Sequence, residues 1–150
     1  MKLLLQFALI STITALPNHA TTPGAINAAV TQENIASTIC RRGWTRTIRP
    51  PETYTRAVKI EMLRGRADHN LRHYELDHLI SLELGGHPRD RRNLWPQRWT
   101  GACNAHHKDE LENTLNRLVC SGKLTLAQAQ REIAQDWVAS YKTRVNHEGC

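Results

Sequence analysis

The period of the apolar residues changes along the chain, and each change marks an element. From Thr53 onward Tyr54, Val58 and Met62, with Ala57 alongside, recur at helical spacing. Gly65 stands where such a helix would end, so about three turns are predicted. Further on, Leu111, Leu115, Leu118 and Val119 form the stripe of a second helix, with Gly122 as its C-terminal cap. Thr125 and Gln128 make a capping box, and Leu126, Ala129, Ile133, Trp137 and Tyr141 then share one face of a third helix. Between the first and second helices the period is that of a strand. Tyr74, Leu76 and His78 alternate with Glu75, Asp77 and Leu79. Gly85-Gly86-His87-Pro88-Arg89-Asp90 follows as a turn. Asn93-Leu94-Trp95-Pro96 returns as a short segment whose proline argues against a central strand. Arg41 through Pro51 reads as extended chain, because two prolines forbid a helix through them. The expected fold class is α+β, a single domain with a small hairpin set among three or four helices.

The N-terminus follows another logic. Lys2 precedes an apolar run from Leu3 to Ile13, inside the range of a secretory signal and too short to span a bilayer. Residues 1–20 are expected to be a signal peptide, ending at Ala20 or at Ala15. Residues 21–38, rich in Thr, Ala and Asn, are expected to be a flexible leader ahead of a folded domain over 39–150. No lipid-attachment cysteine follows the apolar run, so a periplasmic or secreted protein is predicted.

The formal net charge of +6 suits a partner that is a polyanion. Four cysteines in an exported chain read first as two disulfides. Three pairings are open; Cys40–Cys120 with Cys103–Cys150 is preferred, because Cys40 and Cys120 adjoin ordered elements and would close a long loop around the core. A zinc site on Cys103 and His107 competes, but lacks a second close ligand pair.

The chemistry concentrates between Glu75 and Asp109, in Asp77-His78, Gly85-Gly86, Asn93, and the pair His106-His107 followed by Lys108. Phosphodiester hydrolysis needs a deprotonated water and a cation near the leaving oxygen. A neutral imidazole takes a proton well near pH 7. A carboxylate such as Asp77 offers a hard oxygen to Mg²⁺. On a strand Asp77 and His78 face opposite ways, so a turn or bulge beside Gly85-Gly86 would be needed to bring both to one site. Asn93 can bond to the facing backbone and hold the His78 ring. His69, His73, His87 and His147 have no evident partner and are expected to be surface residues.

The motif residues resemble the HNH nucleases with the ββα-metal fold. The stretch Leu76-Asp77-His78-Leu79-Ile80-Ser81-Leu82-Glu83-Leu84-Gly85-Gly86, followed by Asn93-Leu94-Trp95-Pro96-Gln97, is similar to a subgroup of small exported bacterial HNH-like proteins. The resemblance implies a metal-dependent endonuclease: His78 as general base, Asn93 as orienter, Asp77 and His106 as ligands of a divalent ion such as Mg²⁺, and Lys108 or Arg92 on the substrate phosphate. Helical phase favours His107 over His106 on the face shared with Lys108, Leu111 and Leu115. The sequence departs from the pattern in its long gap between Asn93 and His106 and in having no CxxC pairs. Arg64, Arg66, Arg72, Arg89, Arg91 and Arg98 flank the motif and suit phosphates. The implied partner is nucleic acid, DNA ahead of RNA, with no membrane partner and a monomeric state. An inhibitor or immunity protein is the counterpart if the chain is a toxin effector. The rival is a nucleic-acid-binding or structural module that keeps the scaffold and cuts nothing.

Overall fold

Glycine and proline set the first boundaries. The computed structural model describes residues 16–150; residues 1–15, most of the expected signal peptide, lie outside the described residues. Gly43, at φ 82°, turns the chain into a short helix, α1 (Trp44–Ile48), within the stretch expected to be extended. The prolines still act as expected, because Arg49 is extended and α2 (Glu52–Leu63) begins only after Pro51. Val58 and Leu63 are its buried residues.

The strand signals lead to one antiparallel pair, β1 (Tyr74–His78) with β2 (Leu94–Arg98), in register Tyr74↔Arg98 through His78↔Leu94. Two ladder bonds, Leu79 N to Asn93 O and Trp99 N to His73 O, fix its phase. Pro96 therefore falls in a pair whose backbone groups point outward, where its missing N–H removes no bond. On the opposite edge the outward carbonyls of Tyr74 and His78 accept from Lys59 Nζ (2.9 Å) and Lys108 Nζ (2.9 Å). Proline and lysine thus blunt the two edges of a very small sheet.

Behind the hairpin lie α3 (Ala105–Cys120) and α4 (Leu126–Arg144), joined by the short turn 121–125. Leu111, Leu115 and Val119 of α3 pack with Ala129, Ile133 and Trp137 of α4, and with Leu79, Ile80 and Leu84 from beyond β1. The capping box at Thr125 and Gln128 is present, and Gly122 has φ 73°. One feature of α4 escapes periodicity: Asp136 leaves the helix at ψ 89°, and its carboxylate accepts from Ala139 N (2.9 Å), capping the final turns.

Residues 21–38 do not form a leader. Gly24 N donates to Arg92 O (2.9 Å), His87 N to Ala25 O (2.8 Å) and Asn27 N to Gly85 O (2.8 Å), with Ile26 bridged to Gly86. Val30 is buried in the core, and Gln32–Ser37 is a 3₁₀ turn. Most of this docking uses backbone groups, which a composition of Thr, Ala and Asn does not reveal.

Cys40 is bonded to Cys120, tying the end of that segment to α3, and Cys103 to Cys150, tying the entry of α3 to the C-terminus. No cysteine among the described residues is free for zinc. No helix among the described residues is long and apolar enough to cross a membrane. Losing a native disulfide costs a small domain roughly 2–5 kcal/mol. The double substitution Cys40→Ala, Cys120→Ala is expected to lower the melting temperature clearly, and mass spectrometry before reduction should find no free thiol. Two or more free thiols in the oxidised protein would refute the pairing.

Candidate active site

His78 is the last residue of β1 and is buried, with 6% exposure. Its Nε2 lies 2.9 Å from the Pro88 carbonyl. A carbonyl only accepts, so Nε2 carries the proton and Nδ1 keeps the lone pair. Burial lowers the pKa of the ring from its ordinary value, more than the Pro88 bond and Asp77 raise it. The imidazole is therefore neutral at pH 7, with a lone pair that meets no donor among the described residues.

Asn93 holds the loop that makes this bond. It has no exposure. Its Oδ1 accepts from Ile80 N (2.9 Å) and Ala25 N (3.4 Å), and its Nδ2 donates to Ile80 O (3.0 Å) and His87 O (3.1 Å). The last of these sits next to Pro88, so the side chain fixes the carbonyl that orients His78. Gly86 makes the closure possible: a Cβ there would lie 1.7 Å from Ile80 O. His87 is not the idle surface residue expected. Its Nδ1 accepts from Asp90 N (2.9 Å), which organises the same turn.

Asp77 faces away from His78, as strand alternation requires, and the Gly85-Gly86 loop does not bring it round. Its Oδ2 accepts from Trp95 Nε1 (3.0 Å) and pairs with Lys108 Nζ (2.8 Å). Lys108, expected on a substrate phosphate, is fully buried in α3 and cannot reach one. Its three N–H groups meet Asp77, the His78 carbonyl and Glu112. Burial alone would lower its pKa, but Asp77 and Glu112 outweigh that and hold it above its ordinary value, as an ammonium.

The two histidines at the start of α3 separate. His107 belongs to the capping box of Asn104, accepting from Asn104 N (3.2 Å), and its ring stands edge-on to Tyr141. His106 is exposed, with its ring centroid 5.5 Å from that of Trp99. A divalent ion held by Asp77 and His106 does not fit this arrangement. One oxygen of Asp77 is already taken by a cation and an indole, and no group of three His, Cys, Asp or Glu side chains is placed to hold a metal among the described residues. Arg92, the other phosphate candidate, is closed on Asp90 at 2.6 Å. Arg91 pairs with Glu61 and Arg98 with Asp68.

A cleft of about 330 Å³ opens beside His78, lined among others by Arg49, Arg56, Lys59, Glu75 and Trp99. Arg49 and Arg56 are exposed and have no acceptor among the described residues, and the charge of Arg49 reaches the His78 ring. Sequence reasoning gave neither arginine a role; both lie before the motif and are delivered by α2 packing on β1. The Arg49-Pro50-Pro51 stop was the available signal, since it fixes where α2 starts.

Below the strand carboxylates crowd. Burial pushes Glu112 up to about 8 against the pull of Lys108. Burial, with Asp77 and Asp109, pushes Glu75 up to about 8 as well, and burial raises Glu83 and Asp109. A carboxylate raised in the folded state binds its proton more tightly there. Its stabilising contribution is complete below the ordinary 4.5 and is lost as pH rises through about 8. His78, lowered below 6.5, works in the opposite sense as a single group. The melting temperature is therefore expected to fall from pH 4.5 to pH 8, and less steeply in Glu112→Gln. Calorimetric scans with the same slope in both proteins would contradict this. Compared with family models, with curated proteins and with solved structures, the chain matches none, so its chemistry rests on the geometry of its own residues.

Proposed function

We propose that this protein is an HNH-type endonuclease that hydrolyses phosphodiester bonds, DNA ahead of RNA, with little sequence preference. The observation that carries this reading is the His78 imidazole, neutral, oriented through Nε2, and lining a cleft with two arginines that have no acceptor among the described residues. In this reading Nδ1 takes the proton of the attacking water, and Pro88 O steadies the imidazolium that forms. Arg49 and Arg56 neutralise the phosphate, giving affinity that is independent of sequence. Asn93 acts at one remove, by holding the loop. The divalent ion implied by the resemblance has no fitting donor set at Asp77 and His106, so no step passes through it.

A second reading, a nucleic-acid-binding module that cuts nothing, is favoured by one contact, the pairing of Asp77 with Lys108. Plasmid nicking by the purified protein, with and without EDTA, separates the two. His78→Ala is expected to lower the nicking rate by roughly 10²–10⁴-fold while leaving DNA affinity in place. Arg49→Ala with Arg56→Ala is expected to weaken binding to duplex DNA. The salt slope of log K should fall by about 0.9 for each phosphate that is no longer neutralised. Retention of DNA without any nicking by the wild type supports the second reading, and undiminished nicking by His78→Ala removes His78 from the mechanism.

A further inference from the structure

We propose that the buried ammonium of Lys108 is the resident cation of the Asp77 site, and that Asp77 positions the His78 strand instead of binding a metal. Lys108 leaves α3 on the same face as Leu111 and Leu115, and its side chain is 1% exposed. A charge in that position is tolerable only if every N–H finds an acceptor. Three are supplied: Asp77 Oδ2 at 2.8 Å, the His78 carbonyl at 2.9 Å, and Glu112 one helical turn further along α3.

Two carboxylate oxygens and a backbone carbonyl are also what a hard divalent cation selects. The site is thus built for a cation, and the chain supplies that cation itself. A metal entering at Asp77 Oδ2 would meet the ammonium at contact distance, and would also have to displace the Trp95 indole N–H. The ammonium would then have to give up its 2.8 Å pairing with Asp77.

The placement has a consequence for the neighbouring cleft. Lys108 grips the carbonyl of His78 itself, so the end of the strand that carries the imidazole is anchored from below. Pro88 O orients the ring from its Nε2 side. Lys108 and Asp77 are positioning residues, acting through backbone and without touching substrate. This role at His78 rests on the nuclease reading, whereas the identity of the cation does not.

The test is Mn²⁺ binding to the full chain, by calorimetric titration without nucleic acid, in wild type, Asp77→Asn, Lys108→Ser, and the double variant. Wild type is expected to show no saturable site that Asp77→Asn removes. Lys108→Ser vacates the position and is expected to gain one Mn²⁺ per chain, lost again in the double variant. A purely structural lysine would leave no such site behind. A wild-type Mn²⁺ site abolished by Asp77→Asn would overturn the proposal, as would a folded Lys108→Ser protein that binds none. If Lys108→Ser does not fold, the wild type decides by nitrogen-15 NMR of its lysine ammonium groups. The slowly exchanging resonance of Lys108 should be unchanged by excess Mg²⁺, and its loss on adding Mg²⁺ would refute the idea. No cleavage is measured in either experiment, so failure here is distinct from failure of the nuclease reading.

Discussion

A carboxamide with no exposure has to satisfy its hydrogen-bonding groups inside the protein, and Asn93 does so on three separate stretches of chain. Its partners are the backbone of Ala25, of Ile80 and of His87. The N-terminal segment, the end of β1 and the turn before β2 therefore meet at one side chain. An aliphatic residue of similar size would leave four backbone groups without their partner, each costing about 1–3 kcal/mol if it stayed dry. The position of Pro88 O, and with it the orientation of the His78 ring, follows from that single buried amide.

Strand alternation puts His78 and Asp77 in different electrostatic surroundings. On one side His78 meets a cleft bordered by Arg49, Arg56 and Lys59. On the other, Asp77 joins Glu112 around Lys108 beneath Trp95. Burial makes the second side costly, since two acidic groups share one ammonium, and the raised pKa of Glu112 expresses that cost. On the cleft side Arg49 and Arg56 lack acidic partners among the described residues and stand free for a polyanion.

Much of the fold was legible in the chain because it depends on local period and local chemistry. The stripes 111–115–119 and 126–129–133–137–141 are the buried faces of α3 and α4, and Thr125 with Gln128 caps where a capping box should. The strand pair, the turn at Gly85-Gly86 and the pairing of Cys40 with Cys120 and Cys103 with Cys150 also match the reading of the residues. Helical phase rightly put Lys108 on the core face, although its role as a phosphate contact did not survive its burial.

What the sequence determined by itself was the set of elements and the residues gathered near the Asp77-His78 motif, since both follow from spacing along one chain. What only the tertiary structure decided was who faces whom. The docking of residues 21–38 uses mostly backbone groups, which no side-chain pattern encodes. The arginines of the cleft come from the start of α2 and the proline stop before it, outside the motif, and reach His78 only through packing. Lys108 could be placed on a buried face from phase alone, but whether its ammonium met a substrate or two carboxylates depended on α3 lying against β1. Charge in an interior is settled by its nearest partners in space, and the partners on β1 lie some thirty residues away along the chain.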